Sequence, residues 1–118
     1  FMRVIVCGGR DYGHGDLEYK HIRACLDDFH SQTPITYLWH GNAAGVDRIA
    51  GTWGMLKGVR VKAVPAEWAK HGKRAGPIRN QNMLGQGIQA VIAFPGGRGT
   101  ADMVRRAEKA GVPVHRYP

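Results

Sequence analysis

The residues able to do chemistry gather in a few short stretches. Pro95-Gly96-Gly97-Arg98-Gly99-Thr100 follows an apolar run, Ala90 to Phe94, and opens a segment of helical spacing that ends near Ala110. A strand that enters a helix through glycines can hold a phosphate. Backbone N–H groups approach the anion, and the helix N-terminus adds partial positive charge. Arg98 adds a full charge. Gly8-Gly9-Arg10 follows the apolar run Arg3 to Cys7, and His40-Gly41-Asn42 begins a turn that reaches Asp47 after the run Ile35 to Trp39. A basic stretch from Lys70 to Arg74 includes Lys73, with Glu67 and Trp68 just before it and Arg79-Asn80 just after. Together these residues suit an anion: glycine backbone, arginine and lysine charge, and Asn80 as a hydrogen-bonding side chain. Among the carboxylates, Asp11, Asp47 and Glu67 could hold ribose hydroxyls. His40 and His71 are candidate acid–base groups, although an ordinary turn or surface histidine is the simpler reading of each. Trp68 could stack on a base or anchor its loop.

Such groups must be positioned by regular elements, and hydrophobic spacing supplies them. Arg3–Cys7 is short, β-branched and nearly all apolar, as in a parallel strand buried on both faces. Leu17, Ile22, Cys25, Leu26 and Phe29 have helical spacing behind Asp16, a candidate N-cap, and Thr33-Pro34 ends that helix. Ile35–Trp39 reads as a second strand, about Ala43–Leu56 as a helix, and Val59–Val64 as a third strand. Pro65–Pro77 has no clear apolar period, and loops of that length in compact domains are usually functional or disordered. A short helix from Pro77 to Leu84, a strand at Ala90–Phe94, a helix from about Thr100 to Ala110 and a strand at Pro113–Tyr117 complete the chain. Gly111 stops the last helix. This alternation predicts an α/β fold, a single Rossmann-like three-layer sandwich over residues 2–118. Its mostly parallel sheet of about five strands has the order 3-2-1-4-5. Phe1 precedes Met2 and is set aside. Ligands of such sheets bind at the carboxyl ends of the strands, at the switch point in strand order. All three glycine turns fall at that edge. Gly8-Gly9 and Gly96-Gly97 are expected to face each other across one crevice.

The chain has 118 residues, 43% of them hydrophobic, with a formal net charge of +8. That is enough for a packed core, and the charge favours an anionic partner: nucleotide, polyphosphate or nucleic acid. No single helix or tail collects the basic residues, so a nucleic-acid polymer is the less favoured of these. Two cysteines do not make a disulfide framework, and Cys7 reads as a small buried hydrophobe. No apolar run approaches the ~20 residues that span a bilayer, so no membrane role is expected and the cytoplasm is the default location. The six histidines show no metal-ligand spacing. Neither a metal nor a cofactor is expected. Gly97-Arg98-Gly99 begins like G-x-G-x-x-G but lacks the third glycine, and there is no G-x-x-x-x-G-K-[ST].

Pro95-Gly96-Gly97-Arg98-Gly99-Thr100 resembles the P-G-G-x-G-T motif of the SLOG superfamily, which includes the LOG-type phosphoribohydrolases and the DNA-processing protein Smf/DprA. Three further stretches resemble its YspA-related branch of bacterial and phage proteins: Val6 to Asp11, His40 to Asp47, and Glu67-Trp68 with Gly72 to Asn80. The resemblance implies a Rossmann-like fold, binding of a nucleotide or nucleotide derivative, and a tendency to self-associate. LOG enzymes cleave the bond between a base and ribose 5′-monophosphate with an Arg from R-K-x-x-M and a Glu three residues after P-G-G-x-G-T. Arg79-Asn80-Gln81-Asn82-Met83 matches the first with Asn for Lys. Met103 stands where the Glu should be.

A carboxylate near the ribose stabilises the oxocarbenium-like transition state of such cleavage, and Met103 cannot. At helical spacing Met103 faces the core. Asp102 is one residue away, about 100° round the helix, and could replace the Glu or merely stabilise the helix N-terminus. Asp47 is the other substitute. The expected ligand contacts are Gly8, Gly9, Arg10, Gly41, Asn42, Lys73, Arg74, Arg79, Asn80 and Pro95 to Thr100. The expected function is binding of a nucleotide derivative, as a sensor or processing module. One alternative is an N-glycosidic hydrolase using Arg79 with Asp102 or Asp47. The other is Smf-like binding of nucleic acid.

Overall fold

A computed structural model describes residues 2–118; Phe1 lies outside them. In chain order the elements are β1 (Met2–Cys7), α1 (Asp16–Gln32), β2 (Ile35–His40), α2 (Val46–Leu56) and β3 (Arg60–Ala63). They continue as α3 (Trp68–His71), a 3₁₀ turn (Gly72–Arg74), α4 (Ala75–Leu84), β4 (Ala90–Ala93), α5 (Arg98–Lys109) and β5 (Val114–Arg116). The five strands form one parallel sheet in the order β3-β2-β1-β4-β5. This is the α/β Rossmann-like arrangement that the alternating pattern predicts.

Central β1 is apolar because both of its faces are covered. Val4 pairs with Leu38 of β2 on one side and Ala90 of β4 on the other. Side chains alternate across a strand, so β1 feeds two cores. Val4 and Val6 pack with Ile22, Leu26, Val46, Ala50 and Trp53 from α1 and α2. Ile5 and Cys7 pack with Met83, Met103, Val104 and Ala107 from α4 and α5. Trp53 also donates its Nε1–H to Asp27 Oδ1 at 2.8 Å, tying α2 to α1. Trp39 stacks on Tyr37 with ring centroids 3.9 Å apart. Trp39 and Trp53 are therefore core residues, whereas Trp68 is 55% exposed. Among the described residues, no helix is long and apolar enough to cross a membrane.

Four local expectations change. Gly15, not Asp16, occupies the N-cap of α1 and makes no side-chain cap; Asp16 is in the first turn, where its charge suits the helix dipole. Leu17 is 84% exposed. At about 100° per residue it lies roughly 140° round from Ile22, outside the buried stripe. Helix α2 begins at Val46 rather than Ala43, because Gly45 turns the chain with φ 75°. The aperiodic Pro65–Pro77 segment holds α3 and the 3₁₀ turn, and α4 already begins at Ala75. Pro77 falls within the first turn of α4, where its missing N–H has no helical partner to lose.

Candidate anion-binding cleft

The three glycine turns meet at the carboxyl edge of the sheet and line one cleft of about 650 Å³, a volume suited to a small organic ligand. The turns after β1 and β4 do not face each other across a gap. Their strands are paired, Cys7 beside Ala93, and paired strands are only about 4.8 Å apart. Gly9 N–H donates to Pro95 C=O at 2.8 Å, so the two turns form one continuous floor. A Cβ on Gly9 would lie 3.1 Å from Gly96 Cα, and one on Gly96 would lie 2.7 Å from Gly9 N and collide with Thr100 Oγ1. A Cβ on Gly8 would approach Val46 Cγ2 to 2.5 Å. Packing alone accounts for these three glycines. Gly97 and Gly99 differ: both line the cleft, and a Cβ on either would meet nothing within 4 Å.

Helix α5 starts in this floor. Its N-cap is Gly97, which has no side chain to cap the helix, and the first helical bond runs from Ala101 N–H to Gly97 C=O at 3.0 Å. The N–H groups of Arg98, Gly99 and Thr100 find no acceptor among the described residues. Arg98 and Arg10 are exposed on the cleft wall.

The turn after β2 presses against the turn after β1. A Cβ on Gly45 would lie 2.5 to 2.7 Å from the carbonyl oxygens of Gly9, Arg10 and Tyr12. Asp47, in the first turn of α2, is 6% exposed. Its Oδ2 accepts from Gly41 N–H at 3.0 Å and Ala43 N–H at 3.3 Å. Its Oδ1 takes no hydrogen bond among the described residues, yet no fully buried side-chain polar atom there lacks a partner. Oδ1 is therefore not fully enclosed, and Asp47 is part of the cleft lining. Burial pushes this carboxyl up to about 6, against the pull of the two N–H donors and of Arg79. Burial, reinforced by Asp47, pushes the neighbouring Cys7 thiol up to about 12, so the thiol stays protonated.

Arg79 braces the inner wall. Its Nη1 donates to Gly41 C=O at 2.8 Å and Val64 C=O at 3.1 Å, and its Nε donates to Asn80 Oδ1 at 2.9 Å. Nη2 has no partner among the described residues. Asn80 is 3% exposed. Its Nδ2 donates to Gly99 C=O at 3.2 Å and to Asp102 Oδ2 at 3.0 Å, which occupies both hydrogens in anchoring α5. Asp102 also accepts from Arg106 Nε at 2.9 Å and pairs with Arg105 at 3.5 Å; it is not part of the cleft lining. Met103 is 1% exposed, in the core under α5.

The structure thus gathers Gly8, Gly9, Arg10, Gly41, Asp47, Arg79, Asn80 and Pro95–Thr100 around one space, with Asp11 and Trp68. Asn42, Lys73, Arg74, Glu67 and His71 lie outside its lining. Lys73 and Arg74 are exposed on the 3₁₀ turn. His40 is 5% exposed; its Nδ1 accepts from Asn42 N–H at 3.0 Å, and burial lowers its pKa. It is a neutral structural histidine. Tyr12, Gly76 and Met83 also line the cleft. Gly76, Arg79, Asn80 and Met83 have the i, i+3, i+4, i+7 spacing of one helix face. A helix started at Pro77 hides that signal by leaving Gly76 outside it. Among the described residues, no group of three or more His, Cys, Asp or Glu could hold a metal ion.

Comparisons with known proteins agree with this architecture. The chain is 36% identical over 122 residues to the Gene 61 protein of Mycobacterium phage D29, covering 98% of this chain and 95% of that protein. The X-ray structure of TM1055, a structural genomics target, superposes with a TM-score of 0.71 at 20% identity, over 97% of this chain and 72% of the other. The model of the "YspA, cpYpsA-related SLOG family" matches residues 2–71, from β1 through α3. With more than half of the chain matched by that model, the chain belongs to the YspA, cpYpsA-related SLOG family.

Proposed function

We propose that the cleft binds the phosphate of a nucleotide or nucleotide derivative at the N-terminus of α5, and that the protein is a sensor or processing module for that ligand. The observation that carries this reading is the uncapped first turn of α5, opening on the cleft beside Gly97 and Gly99. Three N–H donors and the helix dipole converge where an anion can reach them. Arg98 adds charge from the rim, and the open Nη2 of Arg79 offers a further donor. Asp47, in the cleft lining, would accept a hydrogen bond from a sugar hydroxyl. Membership of a SLOG family supports a nucleotide-related role in general.

A thermal-shift screen with mono-, di-, cyclic and dinucleotides tests this. A ligand at 100 times its Kd adds about 2.7 kcal/mol of stability, a rise of several degrees for a chain of this size. No shift with any nucleotide would sink the proposal.

A hydrolytic role rests on Asp47. It is the buried carboxylate of the cleft lining, whereas Asp11 lines the cleft from its exposed side and Asp102 is held by Asn80 and Arg106. In that reading Asp47 stabilises an oxocarbenium-like transition state. Nucleoside monophosphates would then release free base, and Asp47→Asn would abolish the release.

A further inference from the structure

We propose that Trp68 is the stacking platform for a planar heteroaromatic base, so that the cleft takes a nucleotide rather than a bare phosphosugar; this rests on the phosphate-site reading above. The three tryptophans have different surroundings. Trp53 is 1% exposed and Trp39 is 4% exposed, the first hydrogen-bonded to Asp27 and the second stacked on Tyr37. Trp68 is 55% exposed although it lines the cleft. Its indole N–H has no acceptor among the described residues. The ring edge lies close to α4, with Cη2 3.4 Å from the place a Cβ on Gly76 would take. Helix α3, which carries it, packs against α4 and the 3₁₀ turn.

An indole that anchored this segment would be covered. This one leaves apolar surface in water at the wall of the cleft, which is unfavourable until something flat covers it. A cleft of about 650 Å³ is far larger than a phosphate ion. Arg79 and Asn80 stand on the same face of α4 as Gly76, so the Trp68 ring borders the wall that carries the polar groups. A ligand with an anionic end for α5 and a planar apolar end for Trp68 satisfies both. Every base has a π-face, so the stack recognises a base without choosing one.

The test titrates the full chain with nucleoside 5′-monophosphates and with ribose 5-phosphate, in wild type, Trp68→Ala and Trp68→Phe. Stacking on an aromatic residue is worth roughly tenfold or more in affinity per base. Trp68→Ala should weaken nucleotides by about that factor, leave ribose 5-phosphate unchanged, and be rescued largely by Trp68→Phe. Wild-type tryptophan fluorescence should change with nucleotide and not with ribose 5-phosphate. The change should vanish in Trp68→Phe, because Trp39 and Trp53 are buried. Equal affinity of the wild type for both ligands, equal loss of both in Trp68→Ala, or no loss of nucleotide affinity would each overturn the inference and leave the phosphate site standing. Wild type that bound neither ligand would overturn both.

Discussion

Gly99→Ala separates a glycine kept for packing from one kept for a ligand, because stability and binding should move in opposite directions. Gly99 is the second residue of α5, and a Cβ there meets nothing within 4 Å. In the free protein the methyl is accommodated without contact. It also restricts the unfolded chain, which stabilises by about 0.4–1 kcal/mol. For a chain of this length that raises Tm by roughly 1–5 °C. The methyl nevertheless stands at the uncapped first turn, where an anion would approach the N–H groups. Losing one hydrogen bond to a charged group costs about 1.5–3 kcal/mol, or roughly 10- to 150-fold in Kd. Gly96→Ala is the contrast three residues earlier. Its Cβ would lie 2.7 Å from Gly9 N and against Thr100 Oγ1, an overpacking worth about 1–3 kcal/mol of lost stability. Thermal denaturation of both variants, with calorimetric titration of whichever nucleotide the screen identifies, reads both quantities. A Gly99→Ala protein that is stabilised and binds with unchanged affinity would refute the approach of an anion to this turn.

Three further outcomes follow from the same geometry. Folding raises the Asp47 pKa from 3.8 to about 6, so the folded state holds this proton more tightly than the unfolded one. Its contribution to stability therefore falls as pH rises from about 4 to 6 and is level above that, a change on the order of 3 kcal/mol; urea melts across this range should show it, and Asp47→Asn should flatten it. Arg79→Lys should destabilise by roughly 1–3 kcal/mol in urea denaturation, because one ammonium cannot replace a planar fork that reaches Gly41 C=O, Val64 C=O and Asn80. Asp102→Asn should lower stability by about 1 kcal/mol through weaker bonds to Arg106 and Asn80, while calorimetry finds nucleotide affinity unchanged; a large loss of affinity would return Asp102 to the site.

Much of this molecule is legible in local pattern. Alternating β-branched runs and helical stripes determine the strand–helix order, and glycines after apolar runs mark the edge of the sheet where the cleft opens. The spacing that turns Met103 inward is also local, since one residue of helix rotation separates it from Asp102. Partnership across elements is not local. Sequence treats the glycines alike, yet Gly8, Gly9 and Gly96 are needed where two paired strands and α2 crowd together, whereas Gly97 and Gly99 face open space. Asp47 and Asp102 both sit near the start of a helix, but α2 buries one beside the cleft and α5 hands the other to Asn80 and Arg106. Lys73 and Arg74 are rich in charge yet lie outside the cleft lining, exposed on the 3₁₀ turn that follows the one-turn helix α3. Residue type and spacing determined which edge of the sheet carries the cleft. Which side chains there remain free was decided only when packing assigned the others to one another, since a polar group already satisfied inside the fold has little left to offer a ligand.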